Sequence, residues 1–152
     1  MTQEDKEILL KDLCARLPYK PIVHIDDCGI WDLLGIDHDD SAELRDRVIV
    51  WHGKNYPSSK NSFPIINCKP YLFPLSSMSE KQKQEFLSVA GYETREEDCG
   101  RHTETYYYDM VGHEHNFYPN CDAIDWLNKN HFDYRGLIEK GLALHATGLN
   151  IY

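Results

Sequence analysis

Long apolar runs, paired cysteines, glycine-rich phosphate loops and an excess of basic charge are all missing from this 152-residue chain. No stretch approaches the roughly 18 apolar residues that a membrane-spanning helix needs. The opening MTQEDKEILLKDLCARLP mixes acids and bases and has no apolar core of about 7–15 residues, so no secretory leader is expected. The five cysteines are an odd number, widely spaced and without a Cys-x-x-Cys pair. That pattern fits reduced thiols in a cytoplasm better than a disulfide framework. Gly-x-Ser-x-Gly, Walker and Gly-x-Gly-x-x-Gly sequences are absent, which removes the commonest signatures of hydrolases and nucleotide binders. Neither a repeat nor a low-complexity tract is visible.

Sixteen Lys and Arg against 25 Asp and Glu leave a net charge of -9. Phosphate backbones are gripped by clustered Lys and Arg, so the balance disfavours nucleic acid as a partner. Solubility alone accounts for much of the acidity. Charge is unevenly spread: residues 21–52 carry eight acids and two bases, 53–90 two acids and five bases, and 91–125 nine acids and two bases. Nucleic-acid binding would need Lys54, Lys60 and Lys69 on one face, and the modest basic excess of the middle stretch supports that weakly.

With 41% hydrophobic and 12% aromatic residues the chain has enough apolar surface for a core. The patterning predicts one α+β domain over 1–152. Residues 1–17 read as a helix: Thr2 can cap it, acids fill its first turn, and Leu9, Leu13 and Leu17 recur every four residues beside Leu10 and Cys14. Pro18 ends it. Residues 20–75 form a β-rich part, with runs at Ile22–Ile25, Ile30–Leu34 and Val48–Trp51. Gly53–Asn61 reads as a loop, and Asp40 or Ser41 as the cap of a short helix over Ala42–Arg47. Three prolines in Phe63–Leu75 confine that stretch to an edge strand or an extended connection. Together these pieces suggest a small bent antiparallel sheet, with an SH3-like barrel as one form and irregular coil around the prolines as the other.

Residues 76–152 form a helical part with an irregular insert at 92–121. Ser77 with Glu80, or Ser79 with Gln82, has capping-box spacing, and Gly91 is placed to end the helix that follows. Phe86, Leu87, Val89 and Ala90 supply its apolar face. Thr105–Val111 is aromatic enough for a strand. Asp122 and Asp133 can each cap a helix, giving two to three helices in this part, and Leu142–Ala146 can return to the sheet.

Two of these stretches, Lys69–Glu80 (KPYLFPLSSMSE) and Asp125–Asn128 followed by His131–Leu144 (HFDYRGLIEKGLAL), resemble segments of small uncharacterised proteins of gut bacteria and their prophages or mobile elements. They cover about 30 residues of the chain, and Phe73 stands where that pattern has a basic residue. The resemblance implies an accessory product of a phage or mobile element acting in the host cytoplasm, and brings no activity with it. Arg135 lies in the second stretch. It can pair with Glu139 four residues on, or hold a partner's carboxylate or phosphate.

Four constellations carry candidate chemistry. Cys99, His102, His113, His115 and Cys121 are ligand types that a tetrahedral zinc accepts, although they match no standard module and each occurs commonly as a surface or core residue. His113 and His115 stand two apart, not the four of His-Glu-x-x-His, so the metalloprotease mechanism does not apply. Asp37–Ser41 resembles a calcium loop but has Ala42 and Val48 where the glycine and the closing acid belong. Cys121 beside a histidine could form a nucleophilic pair, but five cysteines and eight histidines produce such pairs by accident. Tyr106 and Tyr108 would share one face of a strand with Tyr107 on the other. Those rings serve either a core or an interface.

The expected function is therefore a non-catalytic protein-binding accessory, through a protein partner or self-association, with Tyr106, Tyr108 and Arg135 as binding residues. A zinc domain or small metal-dependent enzyme built on the Cys/His set is the alternative.

Overall fold

The computed structural model describes residues 1–37, 47–51, 60–98, 103–109 and 118–152. The calcium-like residues 38–41, positions 42–46 of the expected short helix and positions 53–59 of the expected loop fall outside this set. The far ends of those two stretches are strand: Arg47 opens one over Arg47–Trp51, and Lys60 and Asn61 open another over Lys60–Pro64. The described chain forms two compact units, one from 1–77 and 131–152 and the other from 78–130.

In the first unit, helix α1 (Gln3–Arg16) starts as its sequence predicts. The Thr2 hydroxyl accepts the Asp5 N–H at 3.1 Å and the Asp5 carboxylate accepts the Thr2 N–H at 3.0 Å, closing a reciprocal cap. Those bonds favour the ionised carboxylate and hold its pKa below the ordinary value. A single 3-10 turn, Leu17–Tyr19, follows at Pro18, and Lys20 (φ 52°) turns the chain into the sheet.

Strands β1 (Ile22–Ile25), β2 (Gly29–Asp37), β3 (Arg47–Trp51), β4 (Lys60–Pro64) and β5 (Cys68–Pro74) pair antiparallel in the spatial order β4-β3-β2-β1-β5. Two short strands, β8 (Phe132–Asp133) and β9 (Leu144–His145), add to β5 in parallel. Among the described residues this path does not close on itself, so the sheet is open and not an SH3-like barrel. A bulge at Leu34 bends β2, where the register to β3 slips by one residue. Alternation along the strands buries Val23, Ile25, Trp31, Leu33, Cys68 and Leu72 against Leu9 and Leu13 of α1.

The prolines do not push β5 to an edge. Asn67 O accepts from Asp26 N and Phe73 N donates to His131 O, whereas Leu72 O accepts from Ala146 N. Backbone groups of successive strand residues point to opposite edges, so β1 and β8 share one edge of β5 and β9 takes the other. Pro70, in phase with Leu72, turns its nitrogen toward the β9 edge, where strand pairing begins only at Tyr71. The missing N–H therefore costs no ladder bond.

No helix follows Asp133. Its carboxylate accepts both Leu137 N (2.9 Å) and Ile138 N (2.8 Å), but Gly136 (φ 70°) stands between in a left-handed conformation that a right-handed helix cannot contain. The result is a capped turn that buries Leu137 and Leu142.

In the second unit, α2 (Glu80–Ala90) begins with the Ser79/Gln82 box and ends at Gly91 (φ 80°). The two-stranded ribbon of β6 (Tyr92–Asp98) and β7 (Thr103–Asp109) follows, then α3 (Cys121–Lys129). Asn120, not Asp122, caps α3, accepting Ala123 N at 2.8 Å. Phe86 and Trp126 pack between the two helices at 5.6 Å, Ala90 is buried, and Val89 is left exposed. Replacing Ser79 with alanine is expected to cost about 1 kcal/mol, read as a lower urea midpoint, because the hydroxyl's bonds with Gln82 N and Gln82 Oε1 go together.

Candidate functional site

Two places gather functional side chains, one in each unit. The first grows from α1. Its buried stripe is Leu9, Asp12, Leu13 and Arg16, the spacing of one helical face, so a carboxylate and a guanidinium are carried into the core with the leucines. Both are fully buried. Arg16 Nε donates to Asp12 Oδ2 at 2.7 Å and Nη2 to Asp12 Oδ1 at 3.0 Å, a two-pronged pair. Nη2 also donates to Phe132 O at 2.8 Å, which ties α1 to β8.

Arg135 joins this pair and not Glu139 in a helix, because the capped turn sends it back toward α1. Its Nε lies 3.4 Å from Asp12 Oδ1, close enough for attraction but not aligned as a hydrogen bond. The Tyr134 ring receives both guanidinium groups, with Arg16 Cζ 5.6 Å and Arg135 Cζ 4.8 Å from its centre. His131, in the left-handed region (φ 57°), stacks on Tyr152 at 3.9 Å and 12°. Burial first, and the Arg16 charge second, pull its pKa down to about 4, so the ring is neutral at pH 7.

Tyr152 completes the cluster. Continuing the β1–β5 register would set Ile22 opposite Tyr71, yet the Tyr152 hydroxyl stands between them, accepting Ile22 N at 3.2 Å and donating to Tyr71 O at 2.8 Å. One phenol thus replaces a direct ladder bond at the point where β8 takes over the edge of β5. Burial pushes its pKa up to about 12, which keeps the hydroxyl a donor. Buried Arg16 Nη1, His131 Nδ1, Tyr134 Oη and Arg135 Nε have no hydrogen-bond partner among the described residues. Each such atom costs about 1–3 kcal/mol when left unsatisfied.

The second place is the β6–β7 ribbon. Its register sets Arg95 opposite Tyr106 and Glu93 opposite Tyr108, so Tyr106 and Tyr108 share a face and Tyr107 takes the other. Arg95 Cζ lies 4.6 Å above the Tyr108 ring. The three rings are half-buried, while Glu93, Thr94 and Arg95 are exposed. Among the described residues each strand of the ribbon pairs only with the other. A shallow open groove between α2 and α3 is lined by Gln84, Glu85, Ser88, Val89 and Trp126.

Of the zinc candidates, Cys99, His102, His113 and His115 lie outside the described residues. Cys121 is exposed at the start of α3. Among the described residues no three His, Cys, Asp or Glu side chains come together as a metal site. Burial, with the Asp26 charge, raises the Cys68 thiol to about 12, which makes it a packing group and not a nucleophile. No helix of the described residues is long and apolar enough to cross a membrane.

The chain matches no protein-family model, no curated protein and no solved structure. Asp12, Arg16, His131, Tyr134 and Tyr152 were not legible as a group in the sequence. The one available signal was the four-residue spacing of Asp12 and Arg16 on the stripe shared with Leu9 and Leu13.

Proposed function

We propose that the protein is a non-catalytic binding module, an accessory protein of a phage or mobile element, whose β6–β7 ribbon receives a basic, extended segment of a protein partner. The observation that carries this reading is an acidic two-stranded ribbon that sets three half-buried tyrosines side by side. Its strands hold Glu93, Glu96, Glu97, Asp98, Glu104 and Asp109 against Arg95 alone. The carboxylates attract a basic segment, and the tyrosines supply contact area of the kind enriched at interfaces. Like charge disfavours pairing of the ribbon with a second copy, so a basic partner suits it better than self-association.

The probe is a synthetic peptide of alternating lysine and threonine, with a glutamate–threonine peptide as control. Binding of the basic peptide should be salt-dependent, shift amide resonances of β6 and β7, and weaken about tenfold in Glu93→Lys. Equal binding of both peptides, or shifts confined to residues outside the ribbon, would refute the reading. One zinc per chain in elemental analysis, lost together with peptide binding on chelation, would favour the Cys/His alternative.

A further inference from the structure

We propose that Arg16, Tyr134 and Arg135 form a binding site for one oxyanion, a carboxylate or phosphate group, entered beside Arg135. Donors outnumber acceptors in this part of the core. Two guanidinium groups approach a single carboxylate, Asp12, and both oxygens of Asp12 are already taken by Arg16. The neighbouring acid, Asp133, uses both of its oxygens on Leu137 N and Ile138 N. His131 stacks on Tyr152 and contributes no charge at neutral pH. Asp12 and Asp133 balance the two arginines in charge, but guanidinium donors are left without an acceptor among the described residues.

The unsatisfied atoms point the same way. Arg16 Nη1 and Arg135 Nε can only donate, Tyr134 Oη can donate, and all three are buried without a partner among the described residues. Both guanidinium groups lie against the Tyr134 ring and near Asp12 Oδ1, so the donors occupy one neighbourhood. An oxyanion can accept from several of these donors at once and matches the planar fork of arginine. The Arg135 side chain is 28% exposed while Arg16 is fully buried, which places the entrance at Arg135.

The test is a thermal-denaturation titration of the full chain with inorganic phosphate and, separately, acetate, at constant ionic strength held with sodium chloride. A saturable rise in melting temperature with either anion is expected, as a ligand that binds only the folded state must produce. Response to both identifies a carboxylate-sized site, and response to phosphate alone a phosphate site. The response should vanish in Arg135→Gln and weaken about tenfold in Tyr134→Phe, which keeps the ring and removes only the hydroxyl. Should Arg135→Gln fail to fold, Tyr134→Phe decides. A rise no larger than chloride gives, or one that survives both substitutions, would overturn the proposal. Glu93→Lys, which tests the ribbon, should leave the phosphate response unchanged, so the two readings can fail separately.

Discussion

Replacing Asp12 with alanine is expected to remove about 3–5 kcal/mol of stability, measured as the free energy of urea unfolding. The carboxylate is fully buried and accepts two of the three hydrogen bonds that the Arg16 guanidinium donates. Without it, Arg16 keeps only Phe132 O, and a full charge stays in the core with one hydrogen bond to a neutral carbonyl. Desolvation of that charge sets the size of the effect, more than the bonds themselves. Against a domain stability of roughly 5–15 kcal/mol, the loss is large enough to leave part of the population unfolded at 37 °C.

The size of this loss does not mean that the pair stabilises the fold by the same amount. Taking two ions out of water costs nearly what their attraction returns, so removing both together should be mild. Asp12→Leu combined with Arg16→Met should recover at least half of what Asp12→Ala loses, and the double-mutant cycle should give a coupling above about 2 kcal/mol. If Asp12→Ala costs less than about 1 kcal/mol, Arg16 has another route to a counter-charge or to water, and the buried-pair account is wrong.

What the sequence made legible, and what it hid, follows from the range over which each signal acts. Capping is local, so Thr2, Ser79 and Gly91 mark the ends of α1 and α2 in the letters themselves. The β-branched runs likewise located β1, β2 and β3. Proline was ambiguous because its effect depends on which edge its nitrogen faces. Pro70 has the look of an edge residue, and only the placement of β9 shows that its missing donor has no acceptor to lose. Asp133 has the look of a helix cap, and it does cap two N–H groups, but Gly136 turns left-handed before a second turn can form.

The buried cluster was the hardest to see. An acid and a base four residues apart on a helix usually mark a solvent-exposed pair, and charged residues are almost never fully buried unless paired. Asp12 and Arg16 satisfy both statements at once, and only their phase with Leu9 and Leu13 distinguishes the cases. Their third and fourth partners, Phe132 O and Arg135, come from more than a hundred residues away. No local pattern encodes that meeting.

The same cluster makes stability depend on pH in a definite direction. His131 has its pKa lowered to about 4 in the folded chain, against 6.5 for the ordinary side chain, by burial and by the Arg16 charge. Between these values the unfolded chain binds a proton that the folded one refuses. Stability is therefore unaffected by this group above about pH 6.5, falls as the pH drops toward 4, and levels below that. A gap of this size corresponds to at most about 3 kcal/mol, at 1.36 kcal/mol per pH unit. His131→Asn isolates the contribution, because asparagine tolerates the left-handed backbone at this position and does not titrate. Urea midpoints measured from pH 7.5 to 4.5 should fall more steeply for the wild type than for His131→Asn, and the two curves should converge toward the acid end after allowance for the lost stacking on Tyr152. The capping carboxylate Asp5, whose pKa is lowered from 3.8, loses its contribution only below that window and so does not imitate the effect. Parallel curves for the two proteins would show that His131 reaches solvent in the folded state, and the neutral stacked ring beside Arg16 would have to be abandoned.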